Sequence, residues 1–137
     1  LLFGEGFRYR LHARALPGTP DIVLPKYRVV VFVHGCFWHG HDCHLFKLPS
    51  TRRDFWQTKI DLNRQRDSRD ITALLEQGWS VLCIWECAIK GRLRLVPSDI
   101  ATQLASYIRR AEHPPELKHI KHRPEVPSSA TSIDLQK

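Results

Sequence analysis

The window His34-Gly35-Cys36-Phe37-Trp38-His39-Gly40-His41-Asp42-Cys43-His44 holds four of the chain's eight histidines and two of its four cysteines. Thiolates and imidazoles together are the donors that zinc takes in tetrahedral sites. Cys36, His41 and Cys43 from this one loop leave a single ligand to be found, and Cys87, just past an apolar stretch that ends at Trp85, is the natural fourth. His34, His39 and His44 are also within reach, so the set is not unique from spacing alone. The alternative, ordinary surface histidines beside buried free thiols, fits a lone residue better than it fits this cluster. Cys83 has apolar neighbours and is expected to pack as a small hydrophobe. Four cysteines would also make two disulfides, but the front of the chain lacks a secretory signal, and histidines crowd two of the thiols, so a metal site is the better expectation. A zinc closed by four protein ligands is structural, and catalysis then needs another metal.

Asp21 opens a β-branched run directly after Pro20, and the next such run ends in Val33-His34. A hairpin would set the Asp21 carboxylate beside the Val33 carbonyl, two hard oxygens suited to Mg²⁺ with phosphate oxygens completing the shell. By itself an aspartate there is more often a turn residue. His39, not required by zinc, has an unperturbed pKa near neutrality and is a candidate general base, with a buried structural histidine as the rival. Phe37 and Trp38 fall where no amphipathic period asks for them, and Trp56 follows in a basic helix. Rings in such places can wedge between base pairs, although core packing is their commoner use. Lys47, Arg52, Arg53, Lys59, Arg64, Arg66 and Arg69 can supply phosphate contacts.

The elements that must hold these groups follow from periodicity. Leu1 to Gly6 reads as a helix end, and Phe7 to Leu11 alternates as a half-buried strand. Asp21–Leu24 and Arg28–Val33 form a hairpin across Pro25-Lys26-Tyr27, its second strand buried on both faces. Ser50 or Thr51 is expected to cap a helix through Phe55 and Ile60, with a break near Asp61 to Arg66 and a continuation through Ile71, Leu74 and Leu75 to Gly78. Trp79 to Trp85 is another buried strand, and Ile100, Leu104, Tyr107 and Ile108 mark a last helix from near Ser98. The order predicts an α/β domain with a mixed sheet flanked by helices over residues 1–112, and a flexible tail over 113–137. At 137 residues one core is expected, the longest apolar run is far short of the roughly 20 residues of a membrane span, and a formal charge of +7 favours a polyanionic partner.

The stretches PGTPD, VFVHGCFWHGHDCHLFKLPSTRRDFW and GWSVLCIWEC closely resemble the bacterial very short patch repair endonucleases, over about Leu1 to Arg92. The resemblance implies a restriction-endonuclease-like fold with a modified active site. It also implies nicking of double-stranded DNA 5′ to the T of a T·G mismatch left by deamination of 5-methylcytosine. Residue by residue, Asp21 matches the magnesium carboxylate, Val33 the residue whose carbonyl binds that ion, and His39 the catalytic base. His34 and Asp67 match the supporting pair, while Cys36, His41, Cys43 and Cys87 match the zinc ligands. Phe37, Trp38 and Trp56 match the intercalating aromatics. Relatives often carry Thr at position 33 and a run of histidines after Trp38, where this chain has Val33, Gly40 and Asp42. The family also has an N-terminal segment ahead of the point matching Leu1, with an acidic active-site residue and a DNA-touching helix. The expectation is thus an N-terminally truncated form, with full activity requiring that segment. A monomer in the bacterial cytoplasm, associated with the nucleoid and with a possible mismatch-repair protein partner, completes what the resemblance implies. The competing reading from the residues is a zinc-stabilised DNA-binding module without catalysis; a nuclease using the cysteine-histidine cluster itself is a third.

Overall fold

A computed structural model describes residues 9–110 and 114–124. The helix end expected at Leu1 to Gly6 lies outside them. Among the described residues five strands, β1 (Arg10–Leu11), β2 (Ile22–Leu24), β3 (Val29–His34), β4 (Ser80–Trp85) and β5 (Leu117–Ile120), form one sheet in sequence order. The first three are antiparallel, while β3, β4 and β5 run parallel. The α-helices among the described residues are α1 (Arg53–Glu76), α2 (Glu86–Ile89) and α3 (Pro97–Arg109). This is the mixed sheet between helices expected for a restriction-endonuclease-like domain.

Strand alternation divides the core in two. Val29, Val31, Leu82 and Ile84 face α3, where Ile100, Leu104, Tyr107 and Ile108 cover them. Val30, Phe32, Val81, Cys83 and Trp85 face α1 and meet Leu74, with Ile71 and Leu75 beside it. Both central strands therefore read as continuous apolar runs, because helices cover both faces of the sheet. The hairpin turns through a 3-10 segment, Pro25–Tyr27, and closes with Arg28 in the left-handed region at φ 56°.

Three expectations are corrected. The helix from Arg53 is unbroken for 24 residues, and its cap is Arg52 at φ 55° with no side-chain cap bond, neither Ser50 nor Thr51. Its inward positions between Ile60 and Ile71 are the part-buried Asn63, Asp67 and Asp70. Their spacing of three to four residues keeps one face inward, but that face meets a functional loop and cleft instead of core, so the apolar stripe lapses while the helix continues. The third correction concerns 113–137: Leu117–Ile120 pairs with β4 in parallel, Val81 opposite Leu117 and Ile84 opposite Ile120, and Ile120 is 1% exposed. The sheet extends past residue 112, and residues 125–137 lie outside the described part.

Candidate active site and metal centre

Parallel pairing of β3 with β4 sets His34 opposite Trp85. The chains leaving the two strand ends stay side by side, so Cys36 and Cys87, each two residues further on, come together. The Cys87 N–H donates to Cys36 Sγ at 3.3 Å, and the Cys36 N–H donates to Glu86 Oε1 at 3.1 Å. The loop after Cys36 folds back, its His41 N–H bonding the Cys36 carbonyl at 2.9 Å. That turn returns His41 Nδ1 to 3.5 Å from Cys36 Sγ and 3.6 Å from Cys87 Sγ. Cys43 completes the group, and the four donor atoms lie within 4.8 Å of one another.

These spacings fit an ion. Tetrahedral zinc holding sulfur at ~2.3 Å and nitrogen at ~2.0 Å requires the two donors to stand about 3.5 Å apart. Burial holds His41 down to about 4, which leaves its ring neutral and able to ligate. Burial also pushes the Cys36 and Cys87 thiols up, so their deprotonation calls for a cation among them. Cys83, mid-strand and buried, is pushed up to about 12 and packs in the core as expected.

His34 and His39, from the same loop, line a different cleft. His39 Nδ1 lies 2.5 Å from Asp67 Oδ2, and the His34 ring stacks on that of His39 at 3.9 Å with planes 9° apart. Burial, and then the neighbouring His39, lowers His34 to about 4, so it is neutral at pH 7. Its Nδ1 is buried with no partner among the described residues. Asp21, Val33, His34, His39 and Asp67 all line one cleft of about 540 Å³, together with Asp70 and Arg66 from α1. Asp21 Oδ2 accepts the Val33 N–H at 2.7 Å, so the hairpin does bring the two residues together. The contact seen is to the Val33 amide; the carboxylate, being part-exposed, keeps lone pairs for a hard cation.

Phe37, Trp38 and Trp56 pack in a triangle with ring centroids 5.1, 5.7 and 5.9 Å apart, outside both cores. Trp38 is 49% exposed, and Phe55 beside Trp56 is 45% exposed with the Arg52 guanidinium over its ring. The ridge is held in place from below: Asn63 donates to the Trp38 carbonyl at 2.9 Å. Lys47, Arg52, Arg53, Lys59, Arg64, Arg66 and Arg69 are all exposed on the loop and on α1. Gly40 leaves no room for a side chain in this conformation. At φ 60° it lies so close to α1 that a Cβ would stand 2.7 Å from Ile60 Cγ2 and 2.8 Å from Arg64 Cδ.

Sequence reasoning missed Asn63 and Asp70, whose signal is the inward polar stripe of α1. It also missed Trp85 as more than core. Trp85 stacks flat on His41 at 4.1 Å, meets His34 edge-on at 5.1 Å and donates its indole N–H to His119 Nδ1 at 2.9 Å. It thus touches the cysteine-histidine cluster and the histidine pair at once.

Comparison with known proteins points one way. A family model described as DNA mismatch endonuclease Vsr matches residues 1–45. The chain is 50% identical over 108 residues to the DNA mismatch endonuclease Vsr of Escherichia coli (strain K12), covering 79% of this chain and 69% of that protein. It is 52% identical over 100 residues to the type II nicking enzyme V.XorIIP of Xanthomonas oryzae pv. oryzae, covering 69% of this chain and 74% of the other. To the type II nicking enzyme V.NmeAIP of Neisseria meningitidis serogroup A it is 47% identical over 91 residues, 66% of this chain and 65% of that one.

Proposed function

The chain belongs to the Vsr family of DNA mismatch endonucleases, and on that premise we propose that it nicks double-stranded DNA 5′ to the T of a T·G mismatch, in a Mg²⁺-dependent hydrolysis, with zinc bracing its loop. The observation that carries the reading is the His39–Asp67 pair, 2.5 Å apart, in the same cleft as Asp21 and Val33.

Asp67 accepts the His39 Nδ1–H, which fixes the tautomer and leaves Nε2 as the base for a proton of the attacking water. His34, stacked against His39 and neutral, holds the ring plane and blocks its rotation. Asp21 and the Val33 carbonyl would hold Mg²⁺, which when bound supplies charge neutralisation at the scissile phosphate. Cys36, His41, Cys43 and Cys87 would hold zinc as a closed structural site. Phe37, Trp38 and Trp56 enter the stack beside the mismatch, where the pair is already weak and unstacking costs least. The exposed basic residues of α1 take the phosphates on either side. Binding and nicking as a monomer is part of the proposal.

The test is nicking of matched sets of duplexes carrying T·G, other mismatches or full pairing, with Mg²⁺ present. Incision beside the T of T·G alone is the expected result. Tight binding without incision of any duplex would return the chain to the non-catalytic DNA-binding module.

A further inference from the structure

The strand β5 and the turn after it reach the cysteine-histidine cluster from a segment that supplies none of its four donors. His122 follows β5 by two residues and meets Cys87 twice. Its backbone N–H lies 3.4 Å from Cys87 Sγ, and its Nδ1 lies 3.3 Å from the same sulfur. On its other side the ring meets His44 edge-on, with centroids 5.0 Å apart. The placement does not depend on a loose end. Ile120 is buried at 1% exposure, the Arg123 N–H donates to the Leu93 carbonyl at 2.9 Å, and the Arg123 guanidinium donates to the Arg92 carbonyl at 2.9 Å.

We propose that His122 belongs to the metal centre as the outer partner of the Cys87 thiolate, donating its Nδ1–H to the sulfur and fastening the C-terminal strand to the bound ion. The inference rests on the zinc assignment above and adds a residue to it. A ligating thiolate keeps part of its negative charge, and Cys87 is fully buried, so water is not at hand to satisfy it. Two N–H groups aimed at one sulfur do so, and they fix its direction toward His41. The distances suit N–H···S bonds. Outer partners of this kind are commonly worth roughly 10 to 100-fold in metal affinity. Since binding is reciprocal, the same bonds should order the strand when the ion is present.

The proposal is tested on the whole chain by two readouts that do not involve nicking. Zinc affinity is measured by competition with a chromogenic chelator for the wild type, His122→Ala and His122→Asn, the last keeping a side-chain donor. Hydrogen exchange over residues 117–124 is followed with and without zinc. The expected result is one zinc per wild-type chain, an affinity roughly tenfold or more weaker in His122→Ala, partial recovery in His122→Asn, and zinc-dependent protection of 117–124 that shrinks in the alanine variant. Wild type and both variants with equal affinity and equal protection would overturn the role of His122 and leave the zinc reading standing. A wild type that holds no zinc would overturn both. Circular dichroism of the zinc-loaded variants checks folding, and the asparagine variant carries the test if the alanine one does not fold.

Discussion

The loop from His34 to His44 serves two centres that differ in nearly every physical respect. Cys36, His41 and Cys43 turn toward Cys87 behind the sheet end, in a closed group of soft donors. His34 and His39 turn toward an open cleft with hard oxygens from Asp21 and Asp67. The first centre is built from strand ends that parallel pairing brings together, and it needs no substrate to be complete. The second draws on the hairpin and on the middle of α1, and it stays accessible. Trp85 lies between them, flat on His41 and edge-on to His34. On the proposed function, a rigid closed site on one side of the loop positions a reactive one on the other, so that one centre would carry stability and the other chemistry.

Substitutions should separate the two. The largest effect is expected of Asp21→Asn, which would remove the carboxylate proposed to hold the catalytic metal and no core contact; nicking should fall by ~10³-fold or more while melting and mismatch binding barely move. A wild-type nicking rate would remove Asp21 from the site.

Cys87→Ser should act on the other centre, lowering zinc content and stability together. Structural zinc is linked to folding by ~10 kcal/mol in small zinc modules. With a larger core to lean on, a loss of about 3 kcal/mol, or a melting point lower by ~10 °C, is expected. Elemental analysis finding one zinc per chain at an unchanged melting point would take Cys87 out of the ligand set.

Asp67→Asn should leave zinc and folding alone and slow single-turnover nicking by roughly 10²-fold, through loss of the His39 tautomer and orientation. Rates equal to wild type across pH would mean that His39 is not the base. The smallest effect is expected at the aromatic ridge. Trp38→Ala should weaken T·G binding by about tenfold, ~1.4 kcal/mol, more than it weakens binding to paired duplex. Equal losses on the two duplexes would make Trp38 a general contact.

The closed centre was the more legible of the two in the sequence. Its donors cluster in eleven residues, and Cys87 could be placed because an apolar run ending at Trp85 reads as a buried strand. The hairpin and β4 were legible from their apolar runs, and α3 from its helical apolar period. Asp67 was not legible from pattern: it lies 28 residues from His39, on a helix face where Asn63, Asp67 and Asp70 replace the expected apolar stripe. That replacement is also why the helix looked broken. The strand Leu117–Ile120 was hidden because it is an edge strand with one buried residue, Ile120, next to prolines and charges. The N-terminal cap of α1 failed as a sequence signal because the chain enters the helix through Arg52 in a left-handed conformation, which gives Thr51 no cap bond to make.

Metal analysis combined with single-turnover nicking tests the division between the centres most directly. Zinc-loaded protein, freed of other metals, is mixed with a T·G duplex while Mg²⁺ is titrated, and zinc is counted before and after. The expected result is one tightly held zinc per chain throughout, no incision without Mg²⁺, and incision that rises to saturation as Mg²⁺ is added. Incision at full rate by the zinc-loaded, Mg²⁺-free protein would contradict it, because the cysteine-histidine cluster would then itself be the catalytic centre.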